Sequence, residues 1–190
     1  MSDELAQVKH PVSAALAGPY GHPYHPMLVT VPIGAWVTSL IFDIASHLSR
    51  TPAFLVRGSA WLIAIGLIGA LIAAATGFLD LIVIPGSTRA ARTALWHMSL
   101  VLVATAAYVA NLVWRHALHT GSAPVPAGPL GLSTASLVIL TFAGYLGGKL
   151  AFRYGVRVVA ESAQADGYGI RAAQHGRSGQ PGPSGQPLMR

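Results

Sequence analysis

Cysteine is absent from the 190 residues, which excludes disulfides, zinc fingers and thiolate-ligated iron–sulfur clusters within this chain. Charge is nearly as scarce: 9% of residues are charged, against roughly 25% in soluble domains. That is too few to solvate a globule whose composition is 53% hydrophobic. No Gly-x-Ser-x-Gly elbow, P-loop or dinucleotide fingerprint occurs, and Ser99 sits two residues after His97 and so faces elsewhere. Nothing therefore supports a soluble-type enzyme with a nucleophile or a nucleotide. The formal charge of +6 sits in loops and the C-terminal tail without interleaved aromatics, which argues against nucleic acid as a partner. The first twenty residues lack the basic-then-apolar pattern of a cleavable signal, so the first apolar segment is expected to be retained.

What is present in quantity is apolar sequence, interrupted at regular intervals. Four stretches, about 27–48, 59–84, 93–114 and 132–154, each approach the ~20 residues that cross a ~30 Å hydrocarbon layer. They are continuous and rich in Ala, Leu and Ile, which excludes the short alternating segments of a membrane β-barrel. The fold expected is all-α: a polytopic membrane protein built as an up-down four-transmembrane-helix bundle, with the lipid bilayer as its first partner. Pro26 suits the first turn of the first helix, and Pro32 is expected to kink it. Residues 1–20 read as a mobile arm, 21–158 as the membrane domain, and 159–190, rich in Gly, Ser, Gln and Pro, as a disordered tail.

With four spans, the N-terminus, the second loop and the tail share one side. That side carries nine basic residues, Lys9, Arg89, Arg92, Lys149, Arg153, Arg157, Arg171, Arg177 and Arg190, against Arg50, Arg57 and Arg115 opposite. The positive-inside rule then places both termini in the cytoplasm, and the chain in a bacterial inner membrane.

Helical spacing sorts the faces. In the third span His97, Ala104, Tyr108, Asn111 and Arg115 share a stripe, and in the first Trp36, Ser39, Asp43 and His47 do so. The second offers Gly66, Ala70, Ala73, Gly77 and Asp80, and the fourth a Gly144/Gly148 frame for close helix contact. Antiparallel threading gathers His22, His25, Asp80 and His97 at the cytoplasmic end, with Lys149 nearby. It gathers Asp43, His47, Asn111, Arg115 and His116 at the other. Ionisable groups inside spans are costly and need partners. Asp43 and Arg115 are expected to form a structural ion pair.

The distinctive string is Gly21-His22-Pro23-Tyr24-His25-Pro26, followed by Val31-Pro32-Ile33-Gly34 and Asp43. The prolines are expected to hold both histidines in extended backbone. Together with Gly77, Asp80, His97 and the closing Gly147-Gly148-Lys149 through Gly155-Val156, it resembles an uncharacterised family, a domain of unknown function, of small four-helix bacterial membrane proteins with an HPxHP opening. The resemblance covers roughly Tyr20 to Val158 and implies the four-helix fold. Some members of that family are joined to Rieske-type iron–sulfur domains, which implies membrane redox work; no such domain lies within these residues.

Three functions remain open. His22, His25, Asp80 and His97 could ligate a divalent metal, or His25 and His97 could be axial ligands of haem b, for electron transfer with a redox or membrane-complex partner. A two-haem wire adding His47 and His116 is less attractive, because the 19 residues from His97 to His116 place the haems ~28 Å apart at opposite surfaces. Alternatively the same groups are packing ties in a non-catalytic subunit, or His97, Tyr108, Asn111 and Arg115 line a proton or solute path with Asp80 and Asp43 at its ends. A homo-oligomer is compatible with each. His10, His119 and His175 fall in loops or flexible segments and are expected to be solvated.

Overall fold

A computed structural model of the chain describes residues 8–10, 23–118, 123–161 and 164–165, and helices make up all its regular structure there. Helix α1 (Tyr24–Leu28) runs into α2 (Thr30–Ser46), and the two form one span; α3 (Ala53–Ile82), α4 (Arg89–Ala117) and α5 (Ala127–Phe152) form the others. The protein is a multi-pass membrane protein. The described residues 159–161 and 164–165 belong to a second unit, apart from the bundle. The expected arm and tail fall mostly outside the described residues.

The break between α1 and α2 has a chemical cause. Pro32 has no N–H to give the Leu28 carbonyl, so the ladder is interrupted one turn earlier, at Val29. The last three spans begin four to six residues before the apolar runs do. The residues ahead of each run supply the first turn, whose N–H groups have no intrahelical acceptor in any case. Thr88 caps α4 by accepting from the Ala91 N–H at 3.1 Å, and Pro52 and Pro126 precede α3 and α5.

The interior holds many small and polar residues beside an apolar centre, and many large apolar side chains face outward. Ser39, Asp43, Ser59, Asn111, Arg115, Ser133 and Ser136 are buried, whereas Trp61, Leu71, Phe142 and Phe152 are exposed. This inversion suits a solvent of lipid tails, in which Leu and Phe gain nothing by burial but unpaired polar groups lose heavily. The first span packs chiefly on the second and the third on the fourth, giving two antiparallel hairpins; the second also meets the third and the first meets the fourth.

At the centre of the bundle Trp36 stacks on Tyr108, with centroids 4.2 Å apart and planes 14° from parallel. The indole N–H donates to the Ile63 carbonyl at 3.3 Å. One turn on, Gly66 leaves the space the indole fills, and a Cβ there would collide with the indole nitrogen. Gly66→Ala is expected to expel Trp36 and to cost about 1–3 kcal/mol, as overpacking of a filled core does. Thermal unfolding in detergent reads this, and an unchanged midpoint would refute it.

Candidate functional site

The two polar ends of the bundle are built differently. At the Asp43 end, all four spans contribute to one buried network. Arg115 grips Asp43 with both terminal nitrogens, Nη1 to Oδ1 at 2.9 Å and Nη2 to Oδ2 at 2.5 Å, and both side chains are shut off from solvent. The third guanidinium nitrogen, Nε, donates to Asn111 Oδ1 at 2.7 Å, and Nη1 and Nη2 also reach Ser59 and Ser133 Oγ at 3.1 and 3.3 Å. Ser59 donates to Asp43 Oδ1, and Asn111 Nδ2 donates to Ser133 Oγ and to the Pro129 carbonyl, both at 2.9 Å. Each charge is thus paired and further hydrogen-bonded, the condition under which a buried ion pair is tolerated. Ser59 and Ser133 escaped the sequence reading, because a serine in an apolar run is common and only its alignment with Asp43 across the bundle gives it meaning.

At the other end stand two histidines. His25 lies inside α1, not in the extended backbone anticipated from its prolines: Pro23 is extended, but Pro26 falls in the first helical turn, where its fixed φ and missing N–H fit the helix. Its Nδ1 lies 2.8 Å from the Ala73 carbonyl oxygen, and His97 Nδ1 lies 2.8 Å from that of Ala143. A carbonyl only accepts, so each Nδ1 carries the hydrogen and each Nε2 the lone pair. This is the arrangement that orients a metal-binding imidazole: one ring nitrogen fixed by a backbone acceptor, the other presented. Each ring sits on a glycine; a Cβ at Gly77 would come within 2.8 Å of His25, and one at Gly147 within 3.2 Å of His97. The ring centroids are 6.3 Å apart and the planes perpendicular, at 89°.

Both rings line a cavity of about 370 Å³ whose wall is largely apolar, including Phe78, Met98 and Leu102. Asp80 and Arg157 are its charged members, joined by an ion pair of 2.9 Å from Nε to Oδ1. Arg157 reaches Asp80 because the chain turns back after α5. Gly155, at φ 68°, allows the Val156 N–H to bond the Leu150 carbonyl at 3.1 Å. Arg157 follows with φ 60° and gives its own N–H to the Val8 carbonyl at 2.9 Å. The sequence offered no signal for this pair beyond a basic residue shortly after the last span.

The four-residue metal shell is not what the described residues assemble. Among them no group of three or more His, Asp or Glu side chains gathers closely enough to hold a metal ion. Asp80 is engaged by Arg157, and His22 lies outside the described residues. Of the three that are described, His25 and His97 face each other, and Asp80 shares the wall of their cavity. Lys149 instead lies over the Tyr154 ring, at 5.9 Å. His47 and His116 are exposed, as is His10, and His119 and His175 lie outside the described residues. Between the two ends Trp36, Ile63, Ala70 and Tyr108 form an apolar cluster, which interrupts any polar path along the third span.

A family model described as "Predicted membrane protein (DUF2231)" matches residues 21–160. Neither the curated proteins nor the solved structures give a match.

Proposed function

This chain belongs to the DUF2231 family of predicted membrane proteins, and from that premise we propose that it holds a haem between His25 and His97 and serves in membrane electron transfer. The observation that carries the reading is the pair of imidazoles with Nδ1 committed to backbone carbonyls and centroids 6.3 Å apart. Two metal–nitrogen bonds of about 2.0 Å and the half-widths of two imidazoles place ring centroids roughly 6 Å apart across one metal ion. Two histidines would suffice to hold haem, whereas a protein-ligated divalent ion usually takes three or four side chains. Haem therefore accords better with the described residues than the metal shell does. When bound it would supply one-electron transfer; the chain's own part is to orient two imidazoles, exclude water with an apolar wall, and keep Asp80 and Arg157 mutually neutralised at that wall.

The test is an optical spectrum with metal analysis of the chain purified in detergent and supplied with haem during expression. Paired-imidazole haem bands support the reading, and a folded chain that stays colourless and metal-free overturns it. A non-catalytic membrane subunit is the second reading, favoured by the same carbonyl bonds, which already satisfy one nitrogen of each ring. A partner that copurifies with the colourless chain would support it.

The distribution of nine basic residues against three supports an assignment of the haem end to the cytoplasmic side of a bacterial inner membrane. A reporter fused after Arg190 that fluoresces only in the cytoplasm is expected to be bright, and one active only outside it to be silent. The opposite pattern would invert the assignment.

A further inference from the structure

The first and third spans share a set of residues in one register. Over the 21 positions from His25 to Ala45, eight recur unchanged 72 residues later, among them His25 as His97, Val31 as Val103, Leu40 as Leu112 and Ala45 as Ala117. Apolar helices coincide easily by composition, so the weight lies on contacts that repeat with constant offsets. His25 bonds the Ala73 carbonyl and His97 the Ala143 carbonyl, the donors 72 and the acceptors 70 residues apart. Trp36 donates to the Ile63 carbonyl and Tyr108 to the Ser133 carbonyl, with the same two offsets. His25 rests on Gly77 and His97 on Gly147, while Phe42 fills the notch at Gly58 and Trp114 the notch at Gly128. Four separate contacts thus reproduce themselves in the second hairpin.

Equivalent residues also meet each other: His25 faces His97, Trp36 stacks on Tyr108, and Asp43 binds Arg115. In an assembly of two like parts, only residues on the two-fold axis touch their own equivalents. The three pairs extend over 18 residues, about 27 Å of helix, so the axis runs along the bundle. Parallel repeats related by an axis along the membrane normal are a known way of building membrane proteins.

We infer that the bundle is one helical hairpin present twice, and that His25 and His97 are its two equivalent half-sites, presenting matched imidazoles to a single ligand on the pseudo-two-fold axis. The inference deepens the haem reading and rests on it for the identity of the ligand. Chemistry explains which axial pairs differ. Two aspartates or two arginines facing each other in a dry interior would repel, so that position has to differ between the halves, and it holds Asp43 against Arg115. Two imidazoles clash with nothing and can bind one metal ion from opposite sides. The histidine pair is the one pair of these three that is identical. His22 and Asp80 correspond by the same offsets to Ala94 and Leu150, so neither has a counterpart in a symmetric site.

The test uses the full chain in detergent, titrated with hemin, alongside His25→Ala and His97→Ala. The expected stoichiometry is one hemin per chain. Each variant should lose the paired-imidazole band, with affinity falling at least about tenfold and by the same factor in both, and added imidazole should restore both. If one variant keeps the band while the other loses it, the half-sites are not equivalent and the inference falls, although haem binding stands. If the wild type takes no hemin, the haem reading falls, and ¹⁵N-histidine resonances of the unliganded wild type decide the inference. Two cavity rings that are both Nδ1-protonated support it; one Nδ1- and one Nε2-protonated ring overturn it.

Discussion

Arg115→Met is expected to destabilise the folded bundle by about 3–5 kcal/mol, the cost of leaving a buried charge without its partner. Asp43 would keep Ser59 and lose both guanidinium contacts. Asn111 would lose the donor to its Oδ1. Adding Asp43→Leu to the same chain should recover most of the loss, because removing both charges leaves no ion to solvate, and apolar replacements of buried pairs are often neutral or better. Recovery should be incomplete by about 1 kcal/mol for each polar group left without a partner, as Asn111 Oδ1 would be. Unfolding by denaturant in detergent micelles, followed by circular dichroism, separates the three chains. If Arg115→Met alone costs less than the double substitution, the network does not hold the spans as described.

The second large effect concerns the histidines. The His25→Ala, His97→Ala double variant is expected to purify folded and colourless from conditions that load the wild type with haem. Its loss of stability should be small, about 1 kcal/mol for each hydrogen bond to a carbonyl, because the Trp36/Tyr108 stack and the Asp43/Arg115 network lie farther along the bundle and remain. Absorbance and unfolding midpoint, measured on the same preparation, separate loss of a ligand from loss of the fold. A double variant that still carries paired-imidazole haem would place the cofactor on other residues.

Much of this was legible in the linear chain. Spans follow from length and hydropathy, because lipid imposes a minimum run of apolar residues and forbids open backbone. The stripe from His97 through Tyr108 and Asn111 to Arg115 follows from helical period, and burial of Tyr108, Asn111 and Arg115 agrees with it. The resemblance drawn over Tyr20 to Val158 corresponds to a family match over residues 21–160. Less legible were the Arg157–Asp80 pair and the carbonyl acceptors of both histidines. A main-chain oxygen has no sequence signature, and Arg157 depends on a left-handed turn after the last helix. The repeat could have been found by offset comparison, but in Ala/Leu/Val-rich helices such identities carry little weight until the contacts repeat too.

Composition and period alone therefore determined that this chain crosses a membrane four times and which faces of the first three spans turn inward, since both are local properties read along one helix at a time; in the fourth the Gly144/Gly148 frame makes no helix contact, and Gly147 packs on His97 instead. The Asp43–Arg115 pair was legible too, as two ionisable groups about one turn inside the same face; only the tertiary structure decided that Asp80 belongs to Arg157 and that the histidines stand as a matched pair. Those contacts join residues tens of positions apart. Their geometry is set by how the two hairpins seat against one another, which no single segment of sequence encodes.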